Sequence, residues 1–241
     1  MTKPAPTHTP TRFRMPSARS LRRPRTALAA AAAVLLLALP VADCAARGLT
    51  EGRLADRIAR RQPGLTARPE VSIEGLPFLL QAARDRYPEV RVRADGTTGA
   101  GRPVTADLTL DGVSPRGGGY RASAASARFT APYASLGDGT DTATRLSDAG
   151  GGRLLVRRSV LGVPLDLTAE VRLEGSVLSL RAESASLGGR PLDPDSPLIG
   201  QALARQTRTL PELPLGLRPT GVSAGPDGVT VTARAGEVAL G

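Results

Sequence analysis

The chain is 241 residues long with a formal net charge of +10, and it is 41% hydrophobic but only 2% aromatic, with no Trp. That length suits one domain behind a leader, and a core so poor in rings has to be built from Leu, Val, Ala and Ile. Residues 1–26 hold Lys3, Arg12, Arg14, Arg19, Arg22, Arg23 and Arg25 and no acid, which leaves about +3 for the rest; a nucleic-acid binder carries its basic patch and aromatic platforms on the folded domain, so nucleic acid is excluded as a partner.

Residues 1–26 read as a basic, Pro-rich n-region. Residues 27–43, centred on ALAAAAAVLLLALPVA, are the hydrophobic segment of a signal or an anchor. The apolar run is slightly short for a relaxed membrane span of about 17–25 residues. The positive-inside rule keeps the basic flank cytoplasmic and sends the chain beyond about residue 45 to the extracytoplasmic side of the cell envelope. Three fates are open: a cleaved signal and a secreted protein, an uncleaved transmembrane helix, or lipid attachment at Cys44. Asp43 directly before Cys44 argues against lipidation. The twin Arg22-Arg23 lacks the large apolar residue that follows in a twin-arginine signal. With a single Cys, no internal disulfide is available.

Residues 44–64 form a membrane-proximal helix, with Leu49, Leu54, Ile58 and Ala59 on one side and Pro63-Gly64 as the stop. Residues 65–241 form the β-rich domain. RPEVSIE opens it as a strand. Pro77 then starts a short helix that runs to Tyr87, and Pro88 ends it. EVRVR is the next strand. In RPVTADLTL, Val104, Ala106, Leu108 and Leu110 share a face. Residues 120–129 alternate more weakly, and RLLVRRSV is a further strand. VPLDLTAEVRL alternates most cleanly, with Val163, Leu165, Leu167, Ala169, Val171 and Leu173 on one side. Glu174-Gly175 turns it into VLSLRAES as a hairpin. A second short helix covers about 197–207, and GVTVTARAGEVAL supplies one or two closing strands. Alternation means one apolar and one wet face per strand. The predicted fold is therefore mainly β (α+β): a curved antiparallel sheet or open barrel with one or two short packing helices, preceded by the membrane-proximal helix.

The only His is His8, upstream of the apolar segment. The domain therefore offers no Ser–His pair, His proton shuttle or His-based zinc site. DPDS (Asp193–Ser196) and GDGTD (Gly137–Asp141) lack the spaced acids and terminal Glu of a calcium loop and read as polar turns. The triple glycines at 117–119 and 150–152 lack the Lys-Ser/Thr ending of a phosphate loop and read as hairpin loops. No metal or other cofactor is expected, and a binding protein is expected rather than an enzyme. A glycosidase carboxylate pair remains the enzymatic alternative, although the aromatics that stack sugars are nearly missing.

Three separated stretches carry a resemblance: VSIEGLPFLLQAARDRYPEVRV, FTAPYASL (Phe129–Leu136) and LPELPLGLRPTGVSAGPDGVTVTARAGEVAL (Leu210–Leu240). In order and content they resemble an actinobacterial family of LmeA-like (lipomannan elongation factor A-like) phospholipid-binding proteins, over about Val41 to Leu240. The resemblance implies an exported, membrane-anchored envelope protein without catalytic residues. It implies a phospholipid partner of the phosphatidylinositol type, the membrane itself, and a supporting role in lipoglycan or envelope-lipid maturation. Together with the aliphatic strand faces, it points to Leu76, Phe78, Leu79, Ala82, Val163, Leu165, Leu167, Leu213 and Leu215 as lipid-contacting residues. The alternative is an accessory protein that contacts an envelope enzyme or transporter and has no lipid cavity.

Overall fold

The computed structural model describes residues 24–99, 101–136, 144–160, 162–204 and 207–240. The chain divides into two compact units at Val41/Ala42. In the first, the described residues begin a single helix, α1 (Pro24–Arg61). The basic n-region lies outside the described residues as far as residue 23, and the side chains of the apolar tract lie outside them through residue 37. Among the described residues no helix is long and apolar enough to cross a membrane.

The second unit opens with the continuation of α1, which ends in Arg60 and Arg61 just before Pro63. Cations beside the exposed C-terminal carbonyls and a following proline are ordinary helix stops. The predicted break at Pro63-Gly64 is therefore observed. Next come β1 (Glu70–Glu74), α2 (Phe78–Ala83), β2 (Tyr87–Thr97), β3 (Pro103–Arg116), β4 (Gly119–Ala122), β5 (Ala124–Ala131) and α3 (Tyr133–Leu136). They are followed by β6 (Thr144–Gly150), β7 (Arg153–Val160), β8 (Val163–Glu174), β9 (Val177–Leu187), β10 (Arg190–Leu192) and α4 (Pro197–Ala204). The chain closes with β11 (Arg208–Thr209), a 3-10 turn (Pro214–Gly216), β12 (Arg218–Gly225), β13 (Gly228–Ala235) and β14 (Val238–Leu240).

Every pairing between these strands is antiparallel. As expected of a mainly β fold, the strands form open antiparallel sheets, two of them. The first has the order β1-β2-β3-β5-β13-β12, with β4 and β14 branching from β3; the second has the order β10-β9-β8-β7-β6, with β11 added to β9. The division follows β5. Pro132 has no N–H with which to continue a ladder. Its carbonyl instead accepts the backbone N–H of Ser135 at 2.9 Å and the Ser135 hydroxyl at 2.7 Å, which starts α3 and turns the chain away.

Two other differences have local causes. The helix expected from Pro77 to Tyr87 is only six residues long, because Tyr87 pairs with Val113 in the β2–β3 ladder and Asp85 adopts a left-handed φ of 47°. Four strands, β6, β10, β11 and β12, are not signalled by the sequence pattern: TRLSDAG and RPL do not alternate, β11 is two residues long, and RPTGVSAG is broken by Pro and Gly. The glycine loops are hairpin turns as read: Gly117-Gly118 joins β3 to β4, and Gly151-Gly152 joins β6 to β7.

Three apolar clusters fill the unit. The first lies on the large sheet, with Ile73, Phe78, Val90, Leu110, Leu217 and Val238 among its buried members. The second packs Ile199 and Leu203 of α4 onto Leu167, Ala182 and Ala185 of the smaller sheet. The third joins the sheets: Leu154 and Val171 of the smaller meet Ala224 and Val229 of the larger.

Candidate lipid-binding site

Register assembles one aliphatic face on the large sheet. Val71 and Ile73 of β1 lie beside Val92 and Val90 of β2. Val90, Val92 and Ala94 lie beside Leu110, Leu108 and Ala106 of β3. These adjoin Ala125, Ala127 and Phe129 of β5, which adjoin Ala235, Ala233 and Val231 of β13. Alternate residues of a strand share a face, so all of these side chains point to the same side. The residues between them, such as Arg93, Asp107, Arg128 and Thr232, form the opposite, polar face. There Arg93 and Asp107 approach to 3.9 Å, and the Thr130 and Thr230 hydroxyls are hydrogen-bonded at 3.0 Å.

Burial is uneven along the aliphatic face. At one end Ile73, Val90, Leu110 and Ala125 are buried in a cluster with Phe78, Leu217 and Val238. Further along, Val92, Ala94, Ala106, Leu108 and Phe129 are only half-buried. On the β2–β3 side the face therefore runs from a closed end to a partly open one, while Ala127 of β5 and Val231 and Ala233 of β13 are buried; no polar side chain occurs among these positions. Two other depressions among the described residues have mixed linings. One of about 370 Å³ is lined by Arg172, Glu174, Arg181 and Asp195 with Leu180, Ala182 and Leu203. The other, about 390 Å³, is lined by Arg153, Glu170 and Glu183 with Val171 and Val222. Charged lining disfavours methylenes there.

The closed end is fixed by a contact that sequence reasoning missed. Asp43 is 6% exposed. Its carboxylate accepts the backbone N–H of Phe78 at 2.9 Å and that of Leu79 at 2.7 Å. The first N–H groups of a helix have no partner within it. Pro77, the residue at the α2 cap position, makes no side-chain bond to them, and Asp43 does so from 35 positions upstream. The acid that had argued against lipidation at Cys44 thus has its own structural task. Cys44 itself is an exposed free thiol. A second tie joins α1 to the edge strand β1. Arg47 bonds Glu51 at 2.9 Å, and Glu51 accepts the Ile73 N–H at 2.8 Å. That bond to Glu51 is the main reason the Arg47 guanidinium is held above its usual pKa range.

The nine residues singled out from sequence do not meet in one groove. Phe78, Ala82, Leu213 and Leu215 join the large-sheet cluster. Phe78 is 3% exposed and stacks on Tyr87, with ring centroids 6.3 Å apart. Leu165 and Leu167 belong to the cluster under α4, on the other sheet. Leu76, Leu79 and Val163 are exposed, at 76%, 41% and 39%. Missing from that set are Val92, Ala94, Ala106, Leu108 and Phe129. Their alternation was visible; that strands so far apart in sequence align them was not.

The other motifs hold nothing further. In DPDS the Asp193 carboxylate accepts the Asp195 N–H at 3.0 Å, and the Asp193 carbonyl accepts the Ser196 N–H at 3.1 Å, a polar turn as read. GDGTD lies outside the described residues. Among the described residues, no group of three or more His, Cys, Asp and Glu is placed to hold a metal ion.

The profile of the LmeA-like phospholipid-binding family matches residues 41–234. The chain belongs to this family. No curated protein and no solved structure matches it. The LmeA-like region begins within one residue of the second compact unit, so the family domain takes in the helical residues from Ala42 as well as the sheets. Asp43 and the two N–H groups that it holds therefore lie inside the LmeA-like domain.

Proposed function

We propose that this protein is an exported envelope protein, anchored by residues 27–43, that holds the acyl chains of a phospholipid along the half-open aliphatic face of its large sheet. It acts by binding, without catalysis, and supports lipoglycan or envelope-lipid maturation. The head group in view is of the phosphatidylinositol type, as the resemblance implies. Membership of a phospholipid-binding family supports lipid as the ligand. The observation that supports this face is the run of half-buried Val92, Ala94, Ala106, Leu108 and Phe129, apolar throughout and continuous with a closed end. Withdrawing a chain from water is worth about 0.8 kcal/mol per CH₂, so an apolar strip needs few polar contacts to hold it. The basic n-region followed by an apolar tract supports export and anchoring.

Native mass spectrometry of the full chain, released from detergent, tests this reading. Phospholipid is expected to co-purify with the wild type. Ala94→Leu with Ala106→Leu fills the strip without adding charge. It is expected to lower lipid occupancy at least several-fold while shifting the melting temperature little, because half-buried sites have room for added methylenes. A wild-type chain free of lipid, or a double variant that keeps its lipid, refutes the proposal.

A further inference from the structure

Helix α2 carries a feature that lipid binding on the sheet does not use. Leu76, Leu79 and Leu80 fall within five residues and are 76%, 41% and 44% exposed. Their neighbours Phe78 and Gln81 are buried, so α2 is gripped from one side and bare on the other. Grouped exposed leucines are costly in water and mark a contact surface. Beyond them, Arg84 and Arg86 are exposed and make no ion pair among the described residues; with the exposed Asp85 between them the segment 84–86 carries a net charge of +1. Arg84 lies one helical turn after Leu80, hence on the same side.

We propose that the α2 tip, Leu76, Leu79 and Leu80 with Arg84 and Arg86, docks into the headgroup–acyl boundary of an anionic bilayer. Two observations select that occupant. Leucines beside unpaired arginines complement a surface that is apolar just below a layer of negative charge. The tip is also tied to the start of the domain: the N–H of Leu79 is bonded to Asp43, which directly follows the apolar tract Ala27–Ala42 in the chain. If that tract enters a membrane, Asp43 keeps the three leucines close to its point of exit. This proposal rests on the anchoring half of the proposed function and not on lipid held by the sheet.

The chain contains no Trp, so a single introduced one reports alone. Full-length Leu79→Trp is reconstituted into phosphatidylcholine vesicles, with and without phosphatidylglycerol, whose acyl chains carry bromine as a quencher. Val177→Trp, 37% exposed where β9 begins on the other sheet, serves as the control. The expected result is strong quenching of Leu79→Trp in the phosphatidylglycerol vesicles, none of Val177→Trp, and partial loss of quenching with Arg84→Ser and Arg86→Ser. Leu79→Trp emission that stays water-like in both vesicles overturns the proposal, as does shielding that appears only when another protein is added. Equal quenching without phosphatidylglycerol overturns the anionic assignment. If the chain fails to float with the vesicles, anchoring itself is wrong; lipid on the sheet is decided separately by mass spectrometry.

Discussion

Asp43 shows how much one side chain arranges. A carboxylate buried to 6% exposure stays soluble in the fold only because both of its oxygens accept hydrogen bonds, here from Phe78 and Leu79. It orients α2 so that Phe78 enters the core while Leu79 stays outside. Asp43→Ala leaves two N–H groups without an acceptor. The expected loss is about 1–2 kcal/mol, in line with other helix-cap deletions, measured by urea unfolding of the variant against wild type. Because α2 would lose its fixed entry, the variant is also expected to expose Phe78 and Tyr87 to solvent; an unchanged midpoint would show the cap to be dispensable. Before Asp43 its sequence neighbours gave no hint of this, since nothing local to Val41–Cys44 names a partner 35 residues away.

At the scale of elements, the β5–β13 pairing is the seam that makes the aliphatic face continuous. Its tightest point is Gly228, where β13 begins. A Cβ there would sit 2.1 Å from the Ala131 carbonyl oxygen, at a φ of 134° that only glycine adopts readily. That neighbour is backbone at the end of β5 and cannot swing aside. Gly228→Ala is therefore expected to separate the two strands at this end and destabilise the domain by several kcal/mol, as other large steric and backbone conflicts do. Thermal unfolding checks it, and a variant as stable as wild type would mean that the β5–β13 seam tolerates a side chain at this position. The short helices follow the same logic of context over propensity. Spacing alone carried α2 to Tyr87, yet the gain from pairing Tyr87 in β2 and stacking it on Phe78 ended the helix at Ala83.

For the whole molecule, the third cluster is what makes two open sheets one unit, since Leu154 and Val171 pack with Ala224 and Val229 across the boundary. Tyr133 belongs to that junction and donates its hydroxyl to the Gly225 carbonyl at 2.7 Å, while Tyr87 lies in the large-sheet cluster. Burial pushes both phenol pKa values up from the ordinary value of about 10. A phenol whose folded pKa is raised favours the native state below its unfolded pKa, and this contribution is lost as pH rises through the folded value. Stability is therefore expected to hold up to about pH 10 and to fall above it. In a Tyr120→Phe background, which removes the exposed third tyrosine, the ultraviolet signal of phenolate formation should appear together with loss of β-sheet circular dichroism if the unit unfolds as one. Phenolate forming well ahead of unfolding would mean that the two sites breathe independently.

The mainly β class, most of the strands and the family were legible in the sequence alone. Those rest on local or compositional signals: alternation, turn residues and motifs read one after another. Only the tertiary structure decided that there are two sheets, that the lipid-facing candidates divide between them, and that Leu79 faces outward. Alternation tells which residues of a strand share a side, but not which distant strand lies next to it. The half-open strip depends on Ala94, Ala106 and Phe129 being brought level, beside the row of Val92 and Leu108, by ladders spanning β2 to β5. The orientation of α2 depends on a carboxylate from α1. Both are long-range pairings, and no window of sequence contains the two partners at once.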